Sequence, residues 1–192
     1  MSFTTISAPP HFRPPSHIMA NNKPTSTSPS LYGFQAPLED LFMGDWYLIR
    51  TSNPFWKDKR NIRITYSSDG PSTFSDRAFY QPLNSSAVKS VDGRDTVVDD
   101  AVGVYMWQGK GLMRVQGAKW EILSFNKRMG GADWMMVFTQ KNLFQPSTMQ
   151  IYCRSRKGPS EIDLRYIEEW ASQVLDPMFQ QAMRGLFDVL QE

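Results

Sequence analysis

Between residues 46 and 154 the chain reads as eight short runs of alternating apolar and polar residues, separated by Gly, Pro, Asn and Asp. Strand side chains point alternately to two faces, so each run has one face to bury. The runs cover 46–52, 60–66, 74–81, 87–98 (with a bulge or turn at Gly93), 102–108, 119–126, 133–140 and 149–154. Ser68-Asp69-Gly70-Pro71, Gly109-Lys110-Gly111 and Met129-Gly130-Gly131 are turn sequences. A meander of eight such strands removes its free edges by closing on itself, and eight strands enclose room for one small ligand. The expected fold is mainly β, an eight-stranded antiparallel barrel.

Two helices follow the last run. Ser160 caps the first with Asp163 at the box position, and Leu164, Ile167, Trp170, Ala171 and Val174 form its apolar stripe. Asp176-Pro177 opens the second, whose stripe continues from Phe179 through Ala182, Met183, Leu186 and Phe187 to Leu190. One-sided stripes predict packing against the outside of the barrel. Ahead of the strands, Leu38, Leu41 and Phe42 share one face of a helical turn that would plug one barrel end. Residues 1–36 are broken by Pro9, Pro10, Pro14, Pro15, Pro24 and Pro29 among Ser, Thr and Asn. Such a segment buries too little apolar surface to offset its ordering entropy. It is expected to be a disordered tail, with residues 37–192 forming the barrel and its helices.

Composition narrows the chemistry. The net charge is +2 with both signs mixed along the chain, which predicts no nucleic-acid partner. His11 and His17 both fall in the tail and Cys153 is the single cysteine, so the folded part has no His-based triad, Cys-His dyad or His/Cys metal site. Gly109-Lys110-Gly111 lacks the length of a phosphate loop. No cofactor and no metal are expected. No run approaches the ~20 apolar residues that span a bilayer, so no membrane partner is expected. The tail has no signal-peptide core and no disulfide is possible, which points to a cytoplasmic protein.

Trp46-Tyr47 with Thr51-Ser52, Pro54 and the run from Trp56 to Tyr66, then Trp107 to Leu112, Lys119 to Leu123 and Ile151 to Arg154, together resemble an intracellular lipocalin-like (calycin) family of fungal proteins. The resemblance spans residues 38 to about 175. It implies a lipocalin-like barrel in which Gly44-x-Trp46 puts an indole at the floor and Arg154 crosses it as a cation–π contact. Those three positions would be structural. It further permits a cofactor-free cyclase of the Diels–Alder type or an isomerase, acting on a hydrophobic intermediate of fungal secondary-metabolite biosynthesis. A non-catalytic carrier of a small hydrophobic molecule is the other reading.

The barrel wall supplies candidates for either. Arg50 shares a face with Trp46 and would be an interior donor, partnered by Asp76 or Glu121, unless a bulge turns it out. Arg50 and Tyr105 are therefore the expected catalytic donors. Trp56, in a loop Phe-Trp pair, together with Tyr66, Tyr80, Trp107, Trp120 and Trp134, are the expected ligand contacts. An enzyme should aim a polar group into an otherwise apolar pocket, whereas a carrier needs apolar walls alone.

Overall fold

Eight antiparallel strands follow one another around the barrel: β1 Gly44–Thr51, β2 Lys59–Gly70, β3 Thr73–Pro82, β4 Lys89–Val97, β5 Val104–Gly109, β6 Gly117–Asn126, β7 Trp134–Thr139 and β8 Thr148–Cys153. The computed structural model describes residues 10–21, 37, 39–98, 102–127 and 132–192. Each strand pairs with the next, β8 returns to β1, and β1 pairs with β2, so the sheet closes. The turn expected at Met129–Gly131 lies outside the described residues.

Strand β1 does two jobs along its length. Gly44 to Tyr47 pair with Tyr66 to Arg63 of β2, and the register against β8 shifts between Leu48 and Arg50. Beyond that bulge β1 and β2 part. The gap is filled by the C-terminal segment: β9, Phe187–Asp188, pairs with Thr51 and Arg50. The Val189 N–H donates to the Ile49 carbonyl at 2.8 Å, and Gln191 Nε2 donates to the Leu48 and Ile62 carbonyls at 2.9 and 3.0 Å. The second helix is therefore shorter than its stripe suggests. It ends at Arg184, because the unpaired backbone groups of β1 and β2 draw residues 186–191 into a ladder.

Two cores share the sheet. The interior one holds Trp46, Leu48, Ile62, Ile64, Phe74, Ile122 and Met135. The outer one lies between β6–β8 and the helices Glu161–Gln173 and Pro177–Arg184, and holds Leu123, Trp134, Met136, Phe138, Met149, Ile151 and Cys153 against Ile167, Ala171, Phe179 and Ala182. Strands β7 and β8 are consequently buried on both faces. The caps form as the sequence predicts: Ser160 Oγ accepts from Asp163 N–H at 3.2 Å and Asp176 Oδ1 accepts from Phe179 N–H at 2.8 Å.

Residues 1–9 and 22–36 of the N-terminal segment lie outside the described residues. Residues 10–21 lie against the outer face of the barrel, ending in a short helix, Ser16–Asn21. Phe12 bridges to Ser124 and stacks on Trp170 at 4.8 Å between centroids. Arg13 reaches the buried Glu121 at 3.2 Å and donates to the Ile122 and Gly103 carbonyls. The Ser16 N–H donates to the same carboxylate at 3.0 Å. The segment is polar and Pro-rich, yet it carries the one cation that matches an outward-facing buried Glu. Arg13→Ala leaves that carboxylate without its cation, and the expected loss is about 3 kcal/mol in urea unfolding. The double variant with Glu121→Leu should recover most of it.

Candidate functional site

The closed end of the barrel is a knot of aromatic rings. The short helix Glu39–Phe42 delivers Phe42 into the interior, 4.4 Å from Tyr66 and stacked on Tyr105 at 5.9 Å and Trp120 at 6.0 Å. Gly44 takes φ +92°, a conformation that suits glycine, and swings β1 under this plug. Trp46 Nε1 donates to the Phe42 carbonyl at 2.7 Å. The Arg154 guanidinium lies 3.9 Å above the Trp46 ring and donates to the carbonyls of Leu41, Met43 and Asp45 at 2.6–2.7 Å. These contacts fix the floor.

Above the floor a cavity of about 460 Å³ opens toward the loops that join β1 to β2, β5 to β6 and β7 to β8. Its walls are Ile64, Tyr66, Ala78, Val91, Trp107, Ala118, Trp120 and Val137, and Trp56 closes one side of the mouth. Trp56 is held edge-on against Phe55 at 4.6 Å and Tyr80 at 5.8 Å. The polar groups on the wall are Asp76, Thr139, Gln150 and Tyr152. A ligand of this cavity meets a mostly apolar, aromatic surface with a few fixed polar points, as small-molecule sites generally provide.

Two carboxyls inside the barrel stand out. Asp76 accepts a hydrogen bond from Trp107 Nε1 at 2.9 Å, and Asp95 accepts one from Trp120 Nε1 at 2.6 Å. Asp95 is fully buried, and its Oδ2 has no hydrogen-bond partner among the described residues. Burial raises the Asp76 carboxyl from its ordinary 3.8 to about 6, against the indole hydrogen bond that favours its charge. Burial, and then the charge of Asp76, push Asp95 well up, which favours its neutral form. The phenols of Tyr66 and Tyr152 are also driven upward by burial and stay protonated. The interior thus sets one titrating carboxyl beside neutral donors.

Gly93 makes this arrangement possible. It faces Asp76 across the β3–β4 pair, and a Cβ there would lie 1.9 Å from Trp107 Nε1 and 2.3 Å from Asp76 Oδ1. Gly93→Val should displace the indole, break the Trp107–Asp76 bond and cost about 1–3 kcal/mol. Loss of part of the near-ultraviolet tryptophan signal would report it.

The expected site residues fall into three groups. Trp56, Tyr66, Trp107 and Trp120 line the cavity, and Tyr80 supports Trp56 from behind. Tyr105 points inward but lies at the closed end, stacked on Trp120 at 4.4 Å, away from the main cavity. Arg50 and Trp134 are corrections. The bulge after Leu48 turns Arg50 to the outside, where it pairs with Asp188 at 2.8 Å and Glu168 at 3.5 Å, so it cannot serve as an interior donor. Trp134 lies in the outer core, 6.2 Å from Phe12. Neither carboxyl pairs with Arg50: Asp76 is inside, and Glu121 is outside with Arg13. Asp95, Gln150 and Tyr152 are interior polar residues the sequence reading passes over.

No protein-family model matches the sequence, and no curated protein matches it. Among solved structures it is similar to one described as "The Siderocalin Ex-FABP functions through dual ligand specificities". The match has a TM-score of 0.55 at 12% identity and covers 78% of this chain and 94% of that one. The chain has a lipocalin-like fold. At this identity the similarity carries the barrel architecture and nothing about the contents of the cavity. Among the described residues no three His, Cys, Asp or Glu side chains gather to hold a metal ion.

Proposed function

We propose that the barrel is a cofactor-independent isomerase or cyclase of a small hydrophobic molecule, with the cavity beside Asp76 as its reaction vessel. The observation that supports this most is the carboxyl itself. Asp76 sits in an aromatic and aliphatic wall, oriented by an indole, and titrates near 6. A carrier needs only apolar walls, while a proton shuttle needs a group whose proton affinity lies near the working pH. In this reading Asp76 takes a proton from a carbon next to a carbonyl or conjugated system and returns it to another carbon of the same molecule. Substrate and product are then isomers, and no redox partner enters. Tyr66 and Tyr152 donate to the substrate oxygen as negative charge develops on it. The rigid aromatic walls select the reactive conformer, and for a Diels–Alder-type closure that selection and one polarised carbonyl suffice.

The sequence resemblance to intracellular fungal proteins supports an intermediate of fungal secondary metabolism as substrate and the cytoplasm as the place of action. The test is incubation with hydrophobic fungal extracts, followed by chromatography and mass spectrometry. The proposal predicts a product of unchanged mass and altered retention formed by the wild type; Asp76→Asn abolishes a proton-transfer isomerisation and spares a Diels–Alder-type closure. A compound that binds saturably and is returned unchanged would replace the enzyme with a hydrophobic carrier.

A further inference from the structure

The open end of the barrel carries an unusual surface. Four loops surround it, at 52–58, 83–88, 110–116 and 140–147. They are tied to one another: Leu83 N–H donates to the Asp58 carbonyl at 3.0 Å, Asn142 Nδ2 to the Gly117 carbonyl at 2.8 Å, and Asn53 Nδ2 to Gln145 Oε1 at 3.4 Å. Thirteen large apolar side chains are exposed among the described residues, and seven of them sit on these loops. Leu112 is 99% exposed and Leu143 96%. Aliphatic side chains presented whole to water at loop tips contribute nothing to the fold, and clustering around one opening marks an interaction surface.

Charge identifies the kind of partner. Lys57, Arg114 and Lys141 stand exposed on the same loops with no salt bridge among the described residues, and Lys110 is exposed beside them with its charge also bearing on Asp76. The loops' own acid, Asp58, is matched by Lys59 at 2.6 Å. The rim therefore offers apolar tips among exposed cations. A protein partner would have to supply shaped pockets for isolated leucines, whereas a lipid surface accepts them without shape and pairs the cations with anionic headgroups.

We infer that the mouth of the barrel docks peripherally on an anionic lipid surface, with Leu112 and Leu143 inserted and the four cations over the headgroups. The cavity then opens toward the bilayer, and a hydrophobic occupant exchanges without crossing bulk water. No helix among the described residues is long and apolar enough to cross a membrane, and surface docking requires none. The inference goes beyond the proposed reaction and stands whether the cavity converts its occupant or only holds it.

Vesicle flotation tests it, with phosphatidylcholine alone and with phosphatidylserine added. The wild type should float with the anionic vesicles and not the neutral ones, and less so as salt shortens the screening length to ~8 Å. Leu112→Ser with Leu143→Ser should weaken binding at least about tenfold. Lys110→Gln with Lys141→Gln should weaken it about fivefold per charge removed. All four positions are exposed, so unchanged circular dichroism separates lost binding from lost fold. No flotation of the wild type at low salt, full flotation of both double variants, or capture of a protein by the rim without vesicle binding would each overturn it.

Discussion

Asp76→Asn should lower turnover by about 10²–10⁴-fold, the range of a lost proton-transfer group, with ligand affinity nearly unchanged. Asn keeps an oxygen for the Trp107 indole, so the wall geometry survives while the exchangeable charge goes. The same substitution should alter stability in the opposite sense. A carboxyl raised from 3.8 to about 6 holds its proton longer in the folded chain than in the unfolded one. Between those values the folded state binds more protons, so stability falls as pH rises through the window. Above pH 6 the charged, poorly solvated form costs on the order of 1–3 kcal/mol, and Asn removes that cost. Wild-type turnover should rise through pH 6 as Asp76 ionises, against falling stability. In the variant the turnover trend flattens and the stability trend loses the Asp76 share, while Asp95, also raised by burial, keeps its own. Chromatographic rates and urea unfolding from pH 4 to 8 check the two halves separately.

Trp46→Ala should cost about 3–5 kcal/mol, the largest single loss in the barrel. The indole is fully buried at the floor, donates to the Phe42 carbonyl and supports the Arg154 guanidinium. Removing it opens a void and frees the cation that binds three carbonyls of the segment leading into β1. The Phe42 plug then loses its anchor, so the closed end should loosen before the helices do. The urea midpoint should drop with little change in slope. Arg154→Lys, which keeps the charge but not the forked donors, should lose part of the same energy.

Strand count, order and the two caps are legible because alternation and turn residues are local signals. The closure by β9 is not. The Leu186, Phe187 and Leu190 spacing fits a helix equally well, and only the gap between β1 and β2 makes the strand the better use of those backbone groups. Arg50 shows the same limit, since one bulge at Leu48 inverts every face beyond it. The carboxyls were within reach. Phe74, Asp76 and Ala78 share one face of β3, and Gly93 and Asp95 share one face of β4, so an acid on the apolar side was visible in the alternation. That Trp107 and Trp120 would hold those acids depends on cross-strand register, which the turns alone do not set. Arg13 lies more than a hundred residues from Glu121, and no local signal pairs them.

The proposed ligand site is the space between Trp107 and Tyr152. Its most direct test is a titration of 1-anilinonaphthalene-8-sulfonate, followed by energy transfer from the barrel tryptophans, on the wild type and on Ala78→Trp. Ala78 lines the cavity, and a Trp there projects into the space and obstructs it. Saturable one-site transfer is expected in the wild type, with clearly weaker binding in Ala78→Trp. Equal binding by both proteins would place the probe elsewhere and contradict it.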